Sequence, residues 1–188
     1  IEKIEAHLTD KATDVAAILD AKILSFFQFI EGIARMPQLR DNTISMQEKA
    51  QFLLKEAAFD NRITYFNLCD MQGNRYTADG QISSVGDRAW FQAAVNGKKF
   101  MSEPIISRLT NKLVIACAVP VYDDDRNIVY VLLATLNGTL ICDDIDDIKV
   151  GQTGVSYIVG PTGITVAHTD QSFVEKGYNI FEDAKQNP

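Results

Sequence analysis

The chain has few of the side chains from which catalytic and metal sites are built. Its 188 residues include two histidines and three cysteines. Neither His7 nor His168 has a second histidine at ligand spacing, and the cysteines form no CxxC pair. The glycine patterns GxGxxG and GxxxxGKS/T, whose backbone cradles phosphates, are also missing. We therefore expect no enzyme activity, no metal ion and no cofactor.

Basic clusters and long apolar runs are lacking as well. The formal charge of −7 would be repelled by the phosphates of nucleic acids. The longest apolar runs, 113–122 and 128–136, fall well below the roughly 20 residues of a membrane-spanning helix. The acidic runs 123–125 and 143–147 lack the alternating spacing of a calcium loop. We expect a globular domain that does not bind nucleic acid, with three buried free thiols at Cys69, Cys117 and Cys142.

A long amphipathic pattern opens the chain and predicts one continuous helix. It should end near Met36, because Pro37 disfavours helical backbone in the residue before it. Two interpretations of the apolar stripe remain: its own domain covers all of it, or part of it pairs with a second copy. We favour the pairing and expect a homodimer. The stripe consists of Ile4, Leu8, Ala12, Val15, Leu19, Ile23, Phe26, Ile30 and Ile33.

A second helix and a series of strands follow. Ser45 and Glu48 form an S-x-x-E capping box, which predicts a helix start. From Arg62 onward, short β-rich runs alternate with turn signals, which predicts a mostly antiparallel sheet and an α+β fold. One short helix interrupts the series, with Asp87 as its N-cap and Gly97 at its end. The predicted strands are 63–69, 75–78, 99–107, 112–122 and 127–137.

A second strand, glycine turn and strand at 155–168 repeats the pattern of 64–79. Two stretches then resemble a known family: DRAWFQAAVNGKKFMSEPIISRLTNKLVIACAVPVYDDDRNIVYVLLA at 87–134 and GQTGVSYIVGPTGITVAH at 151–168. They are similar to the double Cache ligand-binding domain of bacterial chemoreceptors, sensor histidine kinases and diguanylate cyclases. This resemblance covers nearly the whole chain. It implies a long N-terminal helix packed along PAS-like antiparallel sheet modules.

The resemblance also implies three parts. Residues 1–42 would be the dimerisation and signalling helix, 43–148 the membrane-distal Cache module that holds the ligand, and 149–188 the incomplete start of a membrane-proximal module. Because that module normally continues further, we expect the chain to be part of a longer protein. The full-length protein would be anchored by membrane spans outside this chain, with the domain extracytoplasmic.

The distal module carries the residues that the resemblance implies for ligand binding. Arg88 and Trp90 match the arginine and tryptophan that engage the ligand carboxylate in amino-acid-binding relatives, and Phe91 stands where an aromatic residue usually follows. A guanidinium fork and an indole N–H suit a carboxylate. The alternative is that Arg88 forms an ion pair with Asp87 or Glu103 and that Trp90 fills the core.

The positions that hold the ligand's amino group in those relatives are not acidic here. They correspond to Ile105, Ser107 and Thr135 or Asn137. A buried ammonium group without a carboxylate is poorly compensated, so we favour a ligand that carries only a carboxylate or neutral polar groups over an α-amino acid. Aromatic walls could come from Tyr65 and Tyr76, for which core packing is the alternative.

Together these features predict an extracytoplasmic sensor domain that binds a small polar metabolite, a carboxylate or a related compound. Binding would be signalled across the membrane through helices, as in a chemoreceptor. The alternative is a ligand-free dimerisation or protein-partner module of a transmembrane sensor, in which Arg88 and Trp90 are structural.

Overall fold

The computed structural model describes residues 2–145 and 154–186, with side chains from residue 6 onward. It contains two compact units, one formed by Phe27–Asn137 and the other by Ile1–Phe26 with Gly138–Pro188. The predicted boundary at 148, the side chain of Ile4 and the acidic residues at 146 and 147 lie outside the described residues. The division proposed from the sequence into 1–42, 43–148 and 149–188 stays a prediction.

The predicted long helix is confirmed. Helix α1 (Glu2–Ala34) runs for 33 residues, about 50 Å at the usual rise per residue. It stops before Met36, whose extended backbone precedes a one-turn helix, α2 (Pro37–Arg40). Within the larger unit its end is buried through Phe27, Ile30 and Ile33.

The predicted capping box is also confirmed at the start of α3 (Met46–Ala57). The Glu48 backbone N–H donates to the Ser45 hydroxyl oxygen over 3.2 Å, and the Ser45 backbone N–H donates to the Glu48 carboxylate over 3.0 Å. Two helix-end N–H groups that would otherwise lack acceptors are thereby satisfied.

The larger unit contains one antiparallel sheet, which confirms the predicted α+β class. The strands are β1 (Ile63–Asp70), β2 (Asn74–Tyr76), β3 (Ile82–Ser84), β4 (Phe100–Met101), β5 (Ile105–Ile106), β6 (Leu113–Tyr122) and β7 (Ile128–Asn137). Their order in the sheet is β3-β2-β1-β7-β6-β4, and β5 pairs with β6 on the same side as β4. Strand β3 was not predicted from the sequence, and a single strand was predicted over 99–107. That segment divides around Pro104, which has no backbone N–H to give to the ladder.

One face of this sheet packs on helix α4 (Ala89–Val95). Residues that alternate along the strands share a face, and the apolar ones on this face bury Trp90, Phe91 and Ala94 of α4. The sheet residues of this cluster are Cys69 from β1, Ala116 and Ala118 from β6, and Val131 and Leu133 from β7. The cluster fixes where α4 begins relative to the strands.

The predicted N-cap of α4 is wrong. The N-cap is Arg88, without a side-chain hydrogen bond to the helix. The Asp87 carboxylate instead accepts two hydrogen bonds from the Arg108 guanidinium, at 2.8 and 2.7 Å. The predicted stop is correct, because Gly97 follows the C-cap with a φ of +77° that other residues avoid.

The smaller unit contains the predicted second hairpin, β8 (Tyr157–Val159) and β9 (Thr165–His168), which pair antiparallel. Its helices are α5 (Cys142–Ile145), α6 (Ser172–Glu175) and α7 (Ile180–Gln186). The His168 ring stacks on the Phe173 ring with centroids 4.3 Å apart, so this histidine packs among aromatic residues.

The three cysteines are free and buried, as the sequence predicted. None of the helices in the described ranges 2–145 and 154–186 has both the length and the apolar character needed to cross a membrane.

Candidate ligand-binding cavity

A partly open cavity lies on the sheet face that packs on α4. Both apolar and polar side chains line it. The lining residues are Tyr65, Arg75, Val85, Arg88, Trp90, Ile105, Ser107, Arg108, Val114, Ala116, Leu133 and Thr135.

Arg88 stands at the start of α4, where the helix N-cap directs it to the cavity. Within residues 2–145 and 154–186 its guanidinium makes no hydrogen bond and no salt bridge, since Asp87 pairs with Arg108. Burial lowers the pKa of the Arg88 guanidinium, and the positive charges of Arg108 and Arg75 lower it further, while the Asp87 carboxylate opposes this shift. The ion pair with Asp87 or Glu103 that the sequence left open is therefore not formed.

Arg75 is a second cavity arginine, and the sequence analysis did not identify it. It lies on β2 beside Cys69 of β1 and is only 5% exposed. Its Nε and Nη2 atoms donate to the Ser83 hydroxyl oxygen over 3.1 and 2.8 Å. No carboxylate in the described part of the chain pairs with it.

Arg108 is the third cavity arginine and lies at the open side, with 54% of its side chain exposed. Its hydrogen bonds hold the pKa of the Asp87 carboxyl below its ordinary value. Since Asp87 neutralises Arg108, two cationic charges, those of Arg75 and Arg88, remain uncompensated by carboxylates in the described residues. The cavity is therefore electropositive although the whole chain carries −7.

Hydroxyl groups complete the polar wall. The Ser107 oxygen accepts from the backbone N–H groups of Leu109 and Thr110, at 3.2 and 3.3 Å, and lies 3.0 Å from the Tyr65 hydroxyl oxygen. Either hydroxyl can be the donor in this hydrogen bond. Thr135, opposite Tyr65 in β7, adds a further hydroxyl to the lining.

Trp90 lines the cavity and is also part of the core. It is 4% exposed and contacts Phe91 edge to face, with ring centroids 6.2 Å apart. Its indole N–H donates to no protein acceptor among the residues described, so the ring packs while its polar edge stays available. Trp90 therefore packs in the core, which was the alternative stated from the sequence, and its indole N–H still has no acceptor among the described residues.

Five of the eight residues predicted for the site are brought together: Tyr65, Arg88, Trp90, Ser107 and Thr135 line the cavity. The other three do not line it. Phe91 is buried in the α4 core, Tyr76 donates to the Asp70 carboxylate over 3.0 Å, and Asn137 lies at the end of β7 opposite Val114.

Two residues that line the cavity, Arg75 and Arg108, were not predicted from the sequence. Their positions depend on which face of β2 is buried and on the path of the loop after β5, and neither is visible in the sequence. Asn67 on β1 does not line the cavity; it is 3% exposed, and its side-chain oxygen has no hydrogen-bond partner in the described residues.

Comparison with known proteins gives the family. The family model of the Cache domain, dCache_1, matches residues 1–186. No curated protein matches the chain by sequence. Several solved structures of chemoreceptor domains share the fold, at identities below 20%.

The ligand-binding domain of the Pseudomonas fluorescens chemoreceptor CtaA, in complex with L-serine, has a TM-score of 0.74 and 17% identity over 98% of this chain and 80% of that one. The domain of the Pseudomonas aeruginosa amino acid chemoreceptor PctC, in complex with GABA, has a TM-score of 0.73 and 18% identity over 96% and 81%. The sensory domain of the Campylobacter jejuni chemoreceptor Tlp3, with isoleucine bound, has a TM-score of 0.65 and 13% identity over 99% and 82%.

A long helix with an antiparallel sheet is the fold of the chemoreceptor ligand-binding domains compared above. The chain belongs to the Cache domain family, as the match over residues 1–186 shows. The family match and the similar chemoreceptor domains confirm the predicted family, fold class and sensor role.

Proposed function

We propose that this domain binds a small carboxylate in the cavity at Arg88 and acts as the sensor of a signalling receptor. The observation that carries the proposal is the Arg88 guanidinium, which lines the cavity without an anionic hydrogen-bond partner in the described residues. The Trp90 indole N–H lies in the same wall. A carboxylate would accept from both groups, and charge-assisted hydrogen bonds of this kind are among the strongest in proteins.

The charge of the lining argues against an α-amino acid. Three arginines and no aspartate or glutamate line the cavity. An ammonium group placed there would be desolvated without a carboxylate and repelled by the arginines. The ligands in the three similar structures, serine, GABA and isoleucine, all carry an ammonium group. We propose that this chain accepts the carboxylate part of such compounds and rejects the amine.

The proposal is tested by titrating purified domain with acetate, propionate, butyrate, β-alanine and L-serine, by calorimetry and thermal shift. A ligand at 100 times its dissociation constant adds about 2.7 kcal/mol to the free energy of unfolding. We expect stabilisation by the simple carboxylates and little by the two amino acids. If none of these compounds stabilises the domain, the alternative of a ligand-free partner module is favoured.

Arg88→Ala should abolish carboxylate binding with little loss of stability, since the side chain fills no core position. Arg88→Lys should restore binding only in part, because an ammonium group offers no planar fork. Arg35→Ala removes the same charge from an exposed position at the end of α1 and is the matched control. Wild-type affinity in Arg88→Ala would overturn the assignment.

We infer that the domain is extracytoplasmic, in a protein anchored by membrane spans outside this chain, and that it dimerises through the first part of α1. The Cache family match supports the location. Leu8 of the apolar stripe is 38% exposed, which supports the pairing. We propose no catalytic role, since Cache sensor domains bind ligands and do not transform them.

A further inference from the structure

We propose that the ligand is a small dicarboxylate, whose two carboxylates are taken by Arg88 and Arg75. The inference rests on the proposed function, because it assigns the first carboxylate to Arg88. It adds a second anion site at Arg75 and a class of ligand with two negative ends.

Arg75 is a buried cationic side chain without a carboxylate partner in the described residues. It lines the cavity, is 5% exposed, and has a neutral hydroxyl, that of Ser83, as the acceptor for its Nε and Nη2 atoms. A buried guanidinium without an anion is costly, and natural proteins pair such charges. Because no carboxylate of the described residues pairs with Arg75, an anion from outside the chain is the natural partner.

The charges of the three cavity arginines are only partly balanced by carboxylates of the described residues. Arg108 is neutralised by Asp87, which leaves the charges of Arg75 and Arg88. Both line the same cavity, so their positive charges repel one another. A monocarboxylate would balance one of the two charges, whereas a dianion balances both.

Part of the cavity wall is apolar. Val85, Ile105, Val114, Ala116 and Leu133 line the same cavity. A compact inorganic dianion would leave this surface without contacts, while the methylene groups of a carbon chain would cover it. The two arginines are carried by different elements, β2 and the start of α4.

Wild-type protein can be tested with sets of ligands that differ only in one end group. Succinate, butyrate and β-alanine share a carboxylate and differ at the far end, which is a carboxylate, a methyl or an ammonium group. Glutarate, valerate and GABA form the corresponding longer set. We expect each dicarboxylate to bind wild-type domain at least tenfold more tightly than its matched monocarboxylate, with the ammonium compound weakest, in calorimetry at fixed ionic strength.

The role of Arg75 is tested by a thermodynamic cycle. Arg75→Gln should weaken succinate or glutarate binding roughly tenfold to a hundredfold, the range for a hydrogen bond to a charged group. Butyrate and valerate should change less than about threefold, because they have no second carboxylate. Arg35→Gln is the control for loss of one charge. Ser83→Ala keeps the guanidinium and removes its anchor, so a smaller but selective loss for the dicarboxylates is expected.

Three results would overturn the inference. The first is equal affinity of dicarboxylates and matched monocarboxylates while binding still requires Arg88, which would leave the proposed carboxylate function standing. The second is inorganic phosphate or sulfate binding as tightly as succinate, which would exclude a ligand with two separated ends. The third is equal weakening of both ligand classes by Arg75→Gln. Failure of every carboxylate to bind would refute the proposed function as well.

Discussion

Lys49 on α3 is a charged side chain in the interior of the larger unit. It is 0% exposed, and its ammonium nitrogen has no hydrogen-bond partner within residues 2–145 and 154–186. The nitrogen lies 4.2 Å from the centroid of the Tyr130 ring, a cation–π contact. Such a contact contributes about 0.5–2 kcal/mol, which is less than the several kcal/mol that desolvating an ammonium group costs.

Lys49→Met should therefore stabilise the domain by about 1 kcal/mol or more, because methionine keeps the length of the side chain and removes the buried charge. The measurement is urea unfolding of wild type and variant at pH 7. Lys55→Met, an exposed lysine on the same helix, is the control and should stay within about 0.5 kcal/mol. A clear loss of stability in Lys49→Met would show that the contact with Tyr130 outweighs the desolvation.

The buried thiols should be unreactive in the folded protein. Burial raises the pKa of Cys69 from 9.0 to about 12 and that of Cys117 to about 12. At pH 8 such a shift lowers the thiolate fraction by about three orders of magnitude, and the thiolate is the reactive form. Iodoacetamide should add nothing to native protein over an hour and label all cysteines in denaturant, as read by intact mass. Rapid native labelling of Cys69 would contradict its burial.

At the level of elements, the capping box of α3 links stability to pH. The pKa of Glu48 is lowered because its carboxylate accepts hydrogen bonds from the Ser45 hydroxyl and backbone N–H. A carboxylate whose pKa is lower in the folded state stabilises the fold above its unfolded pKa, here 4.5. This contribution is lost as the pH falls through the folded value.

Ser45→Ala should lower the free energy of unfolding by about 1 kcal/mol at pH 7, the usual effect of removing an N-cap. The difference from wild type should narrow as the pH falls below 4.5, since protonation of Glu48 weakens the box in wild type. Urea unfolding from pH 7 to pH 3 measures this, with the exposed Ser84→Ala as the control. A difference that does not change with pH would show that Glu48 takes no part in the cap.

For the whole molecule, the predicted dimer through α1 can be tested with single cysteines, because the native ones are buried. Ala12 lies on the predicted stripe, and Ala17 lies on the opposite side of the same helix; both are exposed. In the full-length receptor, Ala12→Cys should cross-link faster than Ala17→Cys. Succinate or butyrate should change the rate if binding moves the helix by about 1–2 Å, a common size for such switches.

The dimer prediction fails if both variants cross-link at the same rate. If Ala12→Cys cross-links faster than Ala17→Cys but no carboxylate changes either rate, the dimer is supported and the proposed movement of the helix on binding is contradicted. The two parts of the prediction are therefore separable.

The sequence determined the elements whose signals are local. The period of the apolar residues defined α1, the spacing of Ser45 and Glu48 defined the start of α3, and short turns made the strands antiparallel. These signals depend on neighbours within about four positions along the chain, where the backbone geometry fixes which side chains meet. The predictions of the long helix, the capping box and the antiparallel sheet were confirmed for that reason.

Only the tertiary structure decided which side chains face the cavity. Successive residues of a strand point to opposite faces, so Arg75 lines the cavity while Tyr76 reaches Asp70. A short strand such as NRY has no apolar alternation that would show which face is buried. The Asp87–Arg108 pair spans 21 positions and depends on where the loop after β5 returns. The position of Arg75 and the Asp87–Arg108 pair together set the charge of the cavity. The first depends on strand register and the second on the path of a loop, and long-range packing fixes both.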